Sequence, residues 1–447
     1  MNWRKPLIYT LLHLSGGQIP RCLKQMRDLE HGNAEQLDAH RDEKLTRLLL
    51  HAYENVPYYH DLLQTHEVVV DGRVRLENFC SLPLLTKDII RQQGERMYAR
   101  DRQARKPYEN TSGGSTGEPV RLLQDANYDH WNIATKLYFN LVVGKDVGEP
   151  EIKFWGSDRD ILAGNLTWKD RLINVLYNRR FFNSYRLGTP EIEKLIALNN
   201  RFRPAAYWSY MESAHELAKY LRQNPREFHP PRVVISTIGP LTEAVKTLIE
   251  TELKCHVYNQ YGSREVGAIA CQCREQKGLH TFPWWNHVEI VDENAQPLER
   301  GEGLVVVTTL ENYSMPLIRY EIGDVAVAGG RGCACGRNSF LLEEVVGRTL
   351  GYFKMPDASK VHSHFIVQAL FFRDWIKQFQ VVQDRLEHVL IRVELSPDTQ
   401  VPEADLADIR AKTKVLMGPA CDVDFDFVDR IERSASGKYV YTVCEVE

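Results

Sequence analysis

The sequence predicts an α/β protein of two unequal domains, and three features of the chain carry that prediction. Short apolar runs alternate with amphipathic helical stretches between Asn110 and about Arg348, the texture of β-α units around a largely parallel sheet. Beyond Gly347-Arg348 the pattern becomes a compact series of strand, helix and two further strands, residues 349–447, enough for a small α+β domain of its own. A mostly helical region, residues 1 to about 105, opens the larger domain, which runs over residues 1–348. At 447 residues, 43% hydrophobic and 26% charged, the chain has ordinary globular composition and the length for both domains.

Taken in order, Leu7, Leu11 and Leu14 fall on a helical spacing and predict an amphipathic docking helix. His13 and the lack of a small-x-small cleavage site argue against a secretion signal there, so a cytoplasmic protein is expected. Leu45, Leu48, Leu49, Ala52 and Val56 continue as a helix that Val56-Pro57 ends, because a residue before proline avoids the α region. Leu82 to Asp88 reads as an extended segment entering a helix capped by Thr86. In the large domain, Ile152 to Phe154, Val233 to Ile238 and His256 to Tyr258 read as strands, and Met211 to Leu221 and Thr242 to Leu253 as helices. Gly303 to Leu310 reads as a buried strand. In the small domain, Val389 to Leu395 is a strand and Pro402 to Met417 a helix, with proline at its start and Gly418 past its end. Val423, Phe425 and Phe427 alternate with Asp422, Asp424 and Asp426 as in a half-buried strand, and Tyr439 to Val446 forms the last one.

Composition excludes several functions. Fifty-six Lys+Arg against 60 Asp+Glu, a formal charge of −4, leave no basic excess for a nucleic-acid partner. No apolar run approaches the roughly 18–20 residues of a spanning helix. Nine cysteines are too sparse for a disulfide scaffold, and Cys22, Cys80, Cys255, Cys421 and Cys444 read as small hydrophobes. Arg102, Arg105 and Lys106 read as a solvated turn, and Trp155, Tyr207 and Tyr210 as core aromatics that could alternatively line a pocket.

The chemistry concentrates in four segments. Thr111-Ser112-Gly113-Gly114-Ser115-Thr116-Gly117 collects hydroxyls and glycines that let backbone N–H groups close around phosphate oxygens, although no Gly-Lys-Ser/Thr follows as in a Walker loop. Tyr261-Gly262-Ser263-Arg264-Glu265, Arg319-Tyr320-Glu321-Ile322-Gly323-Asp324 and Ser436-Gly437-Lys438 follow in that order. Together they resemble the adenylate-forming superfamily of acyl-CoA synthetases, luciferases and adenylation domains. The resemblance is strongest to the phenylacetate-CoA ligase-like branch, which includes capsular polysaccharide biosynthesis proteins. It covers nearly the whole chain, including Ala52-Tyr53-Glu54-Asn55-Val56-Pro57-Tyr58-Tyr59.

That resemblance implies a large adenylation domain and a small mobile C-terminal lid. It implies that Thr111 to Gly117 hold the β- and γ-phosphates of ATP, that Glu265 binds Mg²⁺ and that Tyr261 lies against adenine. Asp324 would accept the ribose hydroxyls, with Arg348 near the domain junction. Lys438 would approach the α-phosphate and the substrate carboxylate. Gly347-Arg348 leads into Thr349-Leu350-Gly351-Tyr352 where many relatives carry acidic residues, and Pro356 to His362 resembles the capsular branch more than the dedicated phenylacetate enzymes.

A second constellation is Cys273, His280, Cys333 and Cys335, a Cys₃His set suited to tetrahedral Zn²⁺, with Cys271 as a surplus candidate. Such a zinc would be structural. The expected activity is an AMP-forming acid ligase that transfers an acyl group to coenzyme A. An amide-forming ligase acting on an amine or amino sugar is the alternative, and a non-catalytic zinc-stabilised binding module the alternative of another class.

Overall fold

The computed structural model describes residues 2–14, 17–111, 120–155, 168–183, 188–237, 241–348, 352–356, 360–370, 373–396, 399–431 and 441–446. Ser112 to Gly117 and Lys438 lie outside the described residues, as do the side chains of Trp155 and Arg348. The chain divides into two compact units, and the stretch from Val346 to the C-terminus belongs to the second.

The first unit opens with helices Arg4–Leu14, Ile19–Leu29, Ala34–Asn55 and Pro57–Thr65. Local chemistry sets their ends. The Asn33 side chain accepts from the Gln36 amide while the Gln36 side chain accepts from the Asn33 N–H, a reciprocal capping box. Val56 is extended, and Pro57 starts the next helix where its missing N–H costs nothing. The Thr86 hydroxyl accepts from the Ile89 amide and caps Lys87–Gln93 as expected. The first helix departs from expectation in its orientation: it buries Ile8, and Leu7, Leu11 and Leu14 are 40%, 43% and 77% exposed. Lys5 paired with Asp146 and Arg4 donating to the Val175 carbonyl fix this rotation, which turns the apolar stripe away from its own chain.

Among the described residues, eleven strands form one sheet: β1 (Glu151–Trp155), β2 (Arg179–Asn183), β3 (Ala206–Tyr210), β4 (Val233–Thr237), β5 (His256–Ser263), β6 (Gly267–Cys271), β7 (Leu279–Thr281), β8 (Asn286–Val291), β9 (Arg300–Thr309), β10 (Tyr320–Arg331) and β11 (Phe340–Arg348). Their order is β8-β9-β10-β11-β7-β6-β5-β4-β3-β1-β2. Strands β1 to β5 pair in parallel, linked by helices that include Thr189–Phe202, Met211–Gln223 and Glu243–Leu253. From β5 onward the β5–β6, β6–β7, β7–β11 and β8–β9 pairs are antiparallel, so the sheet is mixed rather than largely parallel. The connections explain the difference: after β5 no helix intervenes, and a short link can only return a strand antiparallel.

Ile152, Phe154, Leu195, Leu217 and Val257 pack on one side of the parallel half, and Tyr128, Trp131, Phe139, Trp208 and Trp285 on the other. Tyr207 is fully buried and donates to Asn199, a core role. A third cluster joins the N-terminal helices to the antiparallel half through Leu48, Leu49, Tyr59, Val305 and Ile318. Two buried cations rivet that junction. Lys44 pairs with Glu311 and donates to the Trp284 carbonyl. Arg319, with no exposed surface, pairs with Glu289 at 3.2 Å and donates to the carbonyls of Cys80, Leu82 and Ala295.

The second unit holds β12 (Ile376–Arg385), β13 (His388–Leu395), β14 (Asp422–Phe427) and β15 (Thr442–Cys444) in the order β14-β13-β12-β15, with the helix Glu403–Met417. Val423 is buried and Phe425 half-buried as the alternation predicts, while Phe427 at the strand end is 45% exposed. No helix among the described residues is long and apolar enough to cross a membrane.

Candidate active site and metal centre

The glycine-rich segment is carried between two paired strands, Tyr108–Thr111 and Arg121–Gln124. Side chains at the base of this hairpin tie it to one turn of the sheet. Gln124 Nε2 donates to the carbonyls of Arg264 and Glu265 at 3.2 and 3.1 Å, and Asn110 Nδ2 donates to Gln124 Oε1 at 2.9 Å. Asn110 also accepts the Thr111 N–H, fixing the last described residue before the loop. Thr111 and Glu265 are therefore held at one corner although more than 150 positions separate them. Glu265 is 4% exposed, and among the described residues it forms no ion pair. A buried carboxylate without a counter-cation is unstable alone and suits a hard divalent cation.

Tyr261 is half-buried on β5, opposite Ala270, and packs against the large core cluster. Next to it, Gly262 is required by close approach: a Cβ there would lie 2.5 Å from the Gly267 carbonyl oxygen. Gly267 itself has φ +69°, which opens the tight β5–β6 turn that presents Glu265. Asp324 is buried, 7% exposed, on β10, directly after Gly323 at φ +84°. Arg319 at the head of the same motif is the structural clamp described above. Arg348 ends β11.

Cys273, His280, Cys333 and Cys335 converge, with all four ligand atoms within 4.8 Å of one another. Cys273 Sγ lies 3.8 Å from Cys333 Sγ, and Cys335 Sγ 3.5 Å from His280 Nε2. Zn–S of about 2.3 Å and Zn–N of about 2.0–2.1 Å set tetrahedral edges of about 3.8 Å between sulfurs and about 3.5 Å between sulfur and nitrogen. The donor set thus fits a four-coordinate zinc. His280 Nδ1 meets the Ser339 hydroxyl at 3.3 Å, which leaves Nε2 facing the cluster. Burial, then the nearby Arg337 charge, pull the His280 pKa down to about 4, so the imidazole is neutral and able to ligate. Burial raises the Cys273 thiol, whereas at Cys335 burial is outweighed by hydrogen bonds with Arg337, Cys333 and Cys273 taken together, and the thiol is lowered. Cys271 stands outside the cluster as a buried core thiol pushed well up by desolvation.

Sequence reasoning missed Asn110, Gln124, Ser339 and Arg337. Gln124, a polar residue closing an apolar strand, was the available signal for the first pair. Arg337 stood in the Cys-Gly-Arg pattern; it donates to the Tyr138 hydroxyl at 3.1 Å and pairs with Glu30, which holds the Cys335 turn against the helical region.

The described fold has the arrangement of adenylate-forming ligases. It superposes on 2-hydroxyisobutyryl-CoA ligase in the postadenylation state with a TM-score of 0.71 at 19% identity, covering 93% of this chain and 91% of that one. The chain is 25% identical to the phenylacetate-coenzyme A ligase of Thermus thermophilus over 390 residues, 83% of this chain and 84% of that protein. It is 21% identical to Protein CapK of Staphylococcus aureus over 402 residues, 88% and 86% of the two chains. Residues 353–445 match the CapK C-terminal domain. The sequence relatives of this chain are thus phenylacetate-CoA ligases and CapK, and its fold is the one seen in adenylate-forming CoA ligases.

Proposed function

We propose that the chain is an AMP-forming acid ligase. A substrate carboxylate oxygen attacks the α-phosphorus of ATP, releasing pyrophosphate and leaving an acyl-adenylate. The coenzyme A sulfur then attacks the acyl carbon, AMP departs and the thiol proton passes to solvent. The observation that carries this reading is the glycine-rich segment whose flanking strands are bonded to the turn of Glu265, buried and without an ion pair among the described residues.

In this reading Thr111, Ser112, Gly113, Gly114, Ser115, Thr116 and Gly117 surround the β- and γ-phosphates. Tyr261 lies against adenine, Asp324 accepts from the ribose hydroxyls, and Arg348 serves near the junction between residues 1–348 and 349–447. Lys438 brings a cation to the two anions that must meet, the substrate carboxylate and the α-phosphate. Glu265 would hold Mg²⁺, which when bound offsets the charge of the leaving pyrophosphate. Cys273, His280, Cys333 and Cys335 would hold a structural zinc with no open position. The cytoplasm, where ATP and coenzyme A are supplied, is the proposed location.

The test is acid-dependent ATP–pyrophosphate exchange across a carboxylic acid library. Exchange with at least one acid, followed by thioester formation on adding coenzyme A, is expected. Absence of exchange with every acid overturns the ligase reading and returns the chain to a binding module. Amide formation with an amine acceptor is the second reading, since an amine can attack the acyl carbon of the adenylate as a thiol does. Exchange without thioester formation, together with amide product, would select it.

A further inference from the structure

Lys153 lies in the middle of β1. Its neighbours Ile152 and Phe154 face the cluster containing Leu195 and Leu217, so the period of the strand sends Lys153 to the opposite face. There its ammonium stands 5.1 Å over the Trp208 ring. The Trp208 indole N–H donates to Asn140 Oδ1 at 3.2 Å, and Asn140 belongs to the helix Ala126–Val142 that covers this face. Lys136 is one turn before Asn140 on that helix, on the same side. Strand and helix thus bring Lys136 and Lys153 to one place.

Among the described residues neither lysine forms an ion pair. Glu151, two residues before Lys153 on the same face of the strand, is shared by Lys145 and Arg179. Asp129, two turns ahead of Lys136, is the acid that acts on Lys136. Four cations therefore face two carboxylates. Lys136 is exposed and Lys153 half-buried. Burial and the Arg179 charge bring Lys153 down to about 7. Phe181, paired with Lys153 on the edge strand β2, is 46% exposed and leaves one flank open. Such a charge excess is relieved by an anion.

The same helix connects this place to the proposed reaction centre. Asn132 is one turn before Lys136; its Oδ1 is buried without a partner and lies 3.1 Å from where a Cβ on Gly267 would sit. Gly267 is two residues past Glu265. One helical turn, about 5–6 Å, therefore separates the end of the Glu265 turn from Lys136 along the helix.

We propose that Lys136 and Lys153 bind a second anionic group of the acid, a carboxylate or a phosphate, so that the substrate is a short diacid or a short phosphorylated acid. The proposal rests on the ligase reading and specifies its substrate class.

Pyrophosphate exchange with malonate, succinate, glutarate and adipate, against propionate, butyrate, valerate and hexanoate, tests it, with 3-phosphoglycerate as the phosphate arm. At least one diacid or the phosphorylated acid should exceed every monoacid in kcat/KM. Lys136→Met and Lys153→Met should each reduce that preference about tenfold or more, chiefly through KM, as loss of one charge-assisted hydrogen bond requires. Equilibrium binding of the preferred anion should weaken in parallel, a readout independent of turnover. A wild-type preference for monoacids, or an unchanged preference in both variants, overturns the inference while the ligase reading stands. No exchange with any acid overturns the ligase reading, and the inference with it.

Discussion

Asp324 shows how much one buried carboxylate is asked to do. At 7% exposure it has lost most of its water, so it keeps its charge only if donors replace the solvent, and two ribose hydroxyls would add to them. Asp324→Ala should weaken ATP binding by about 1.5–3 kcal/mol, the range for hydrogen bonds to a charged group. Nucleotide affinity by equilibrium titration, read beside thermal unfolding of the apo-protein, checks this; wild-type affinity in a folded variant would remove the ribose assignment. Arg319, five residues earlier, looked like part of the same motif but works for the fold. Its guanidinium spends its donors on three carbonyls and Glu289, an arrangement that the bare string Arg-Tyr-Glu-Ile-Gly-Asp does not reveal.

At the scale of elements, Cys273, His280, Cys333 and Cys335 bring together segments far apart in the chain, which a bound zinc would fasten. Cys273 follows β6 and His280 lies on β7, while Cys333 and Cys335 come from the turn between β10 and β11, 60 positions from Cys273 to Cys333. β7 already pairs with β11, so a zinc would close the corner that this pairing begins. Cys335→Ser should release the metal and lower the melting temperature, by about 2–4 °C for each kcal/mol lost in a domain of about 150–250 residues. Specific activity should follow the folded fraction. Metal analysis of protein purified without added zinc is decisive: substoichiometric metal in fully active protein would leave four thiol and imidazole groups with no ion to hold.

At the scale of the whole molecule, one small domain must serve adenylation and acyl transfer, and residues 349–447 are proposed as its mobile lid. Lys438 belongs to that region. Lys438→Ala should cut adenylate formation a hundredfold or more, the cost of removing a group aimed at developing charge. Acyl transfer from preformed adenylate should suffer less. Measuring the two half-reactions separately distinguishes a lost cation from a damaged domain, since equal losses in both would indicate the latter.

What the sequence determined by itself is local. The Asn33–Gln36 capping box, the Thr86 cap, the break at Val56-Pro57 and the alternation of Val423 and Phe425 depend on φ/ψ preferences and hydrogen bonds spanning a few residues, so they could be read from spacing. The order of the four motifs was equally legible, whereas the roles of their residues are implied by the resemblance and not by the spacing. Tertiary structure alone decided the rest, because each remaining question turned on which distant segment lay across the sheet. It made the sheet mixed, since after β5 the strands found partners through short links. It chose Cys273 over Cys271, leaving the latter in the core. It turned Leu7, Leu11 and Leu14 outward by burying Ile8. And it brought together the helix of Lys136 and the strand of Lys153, two lysines that form no ion pair among the described residues.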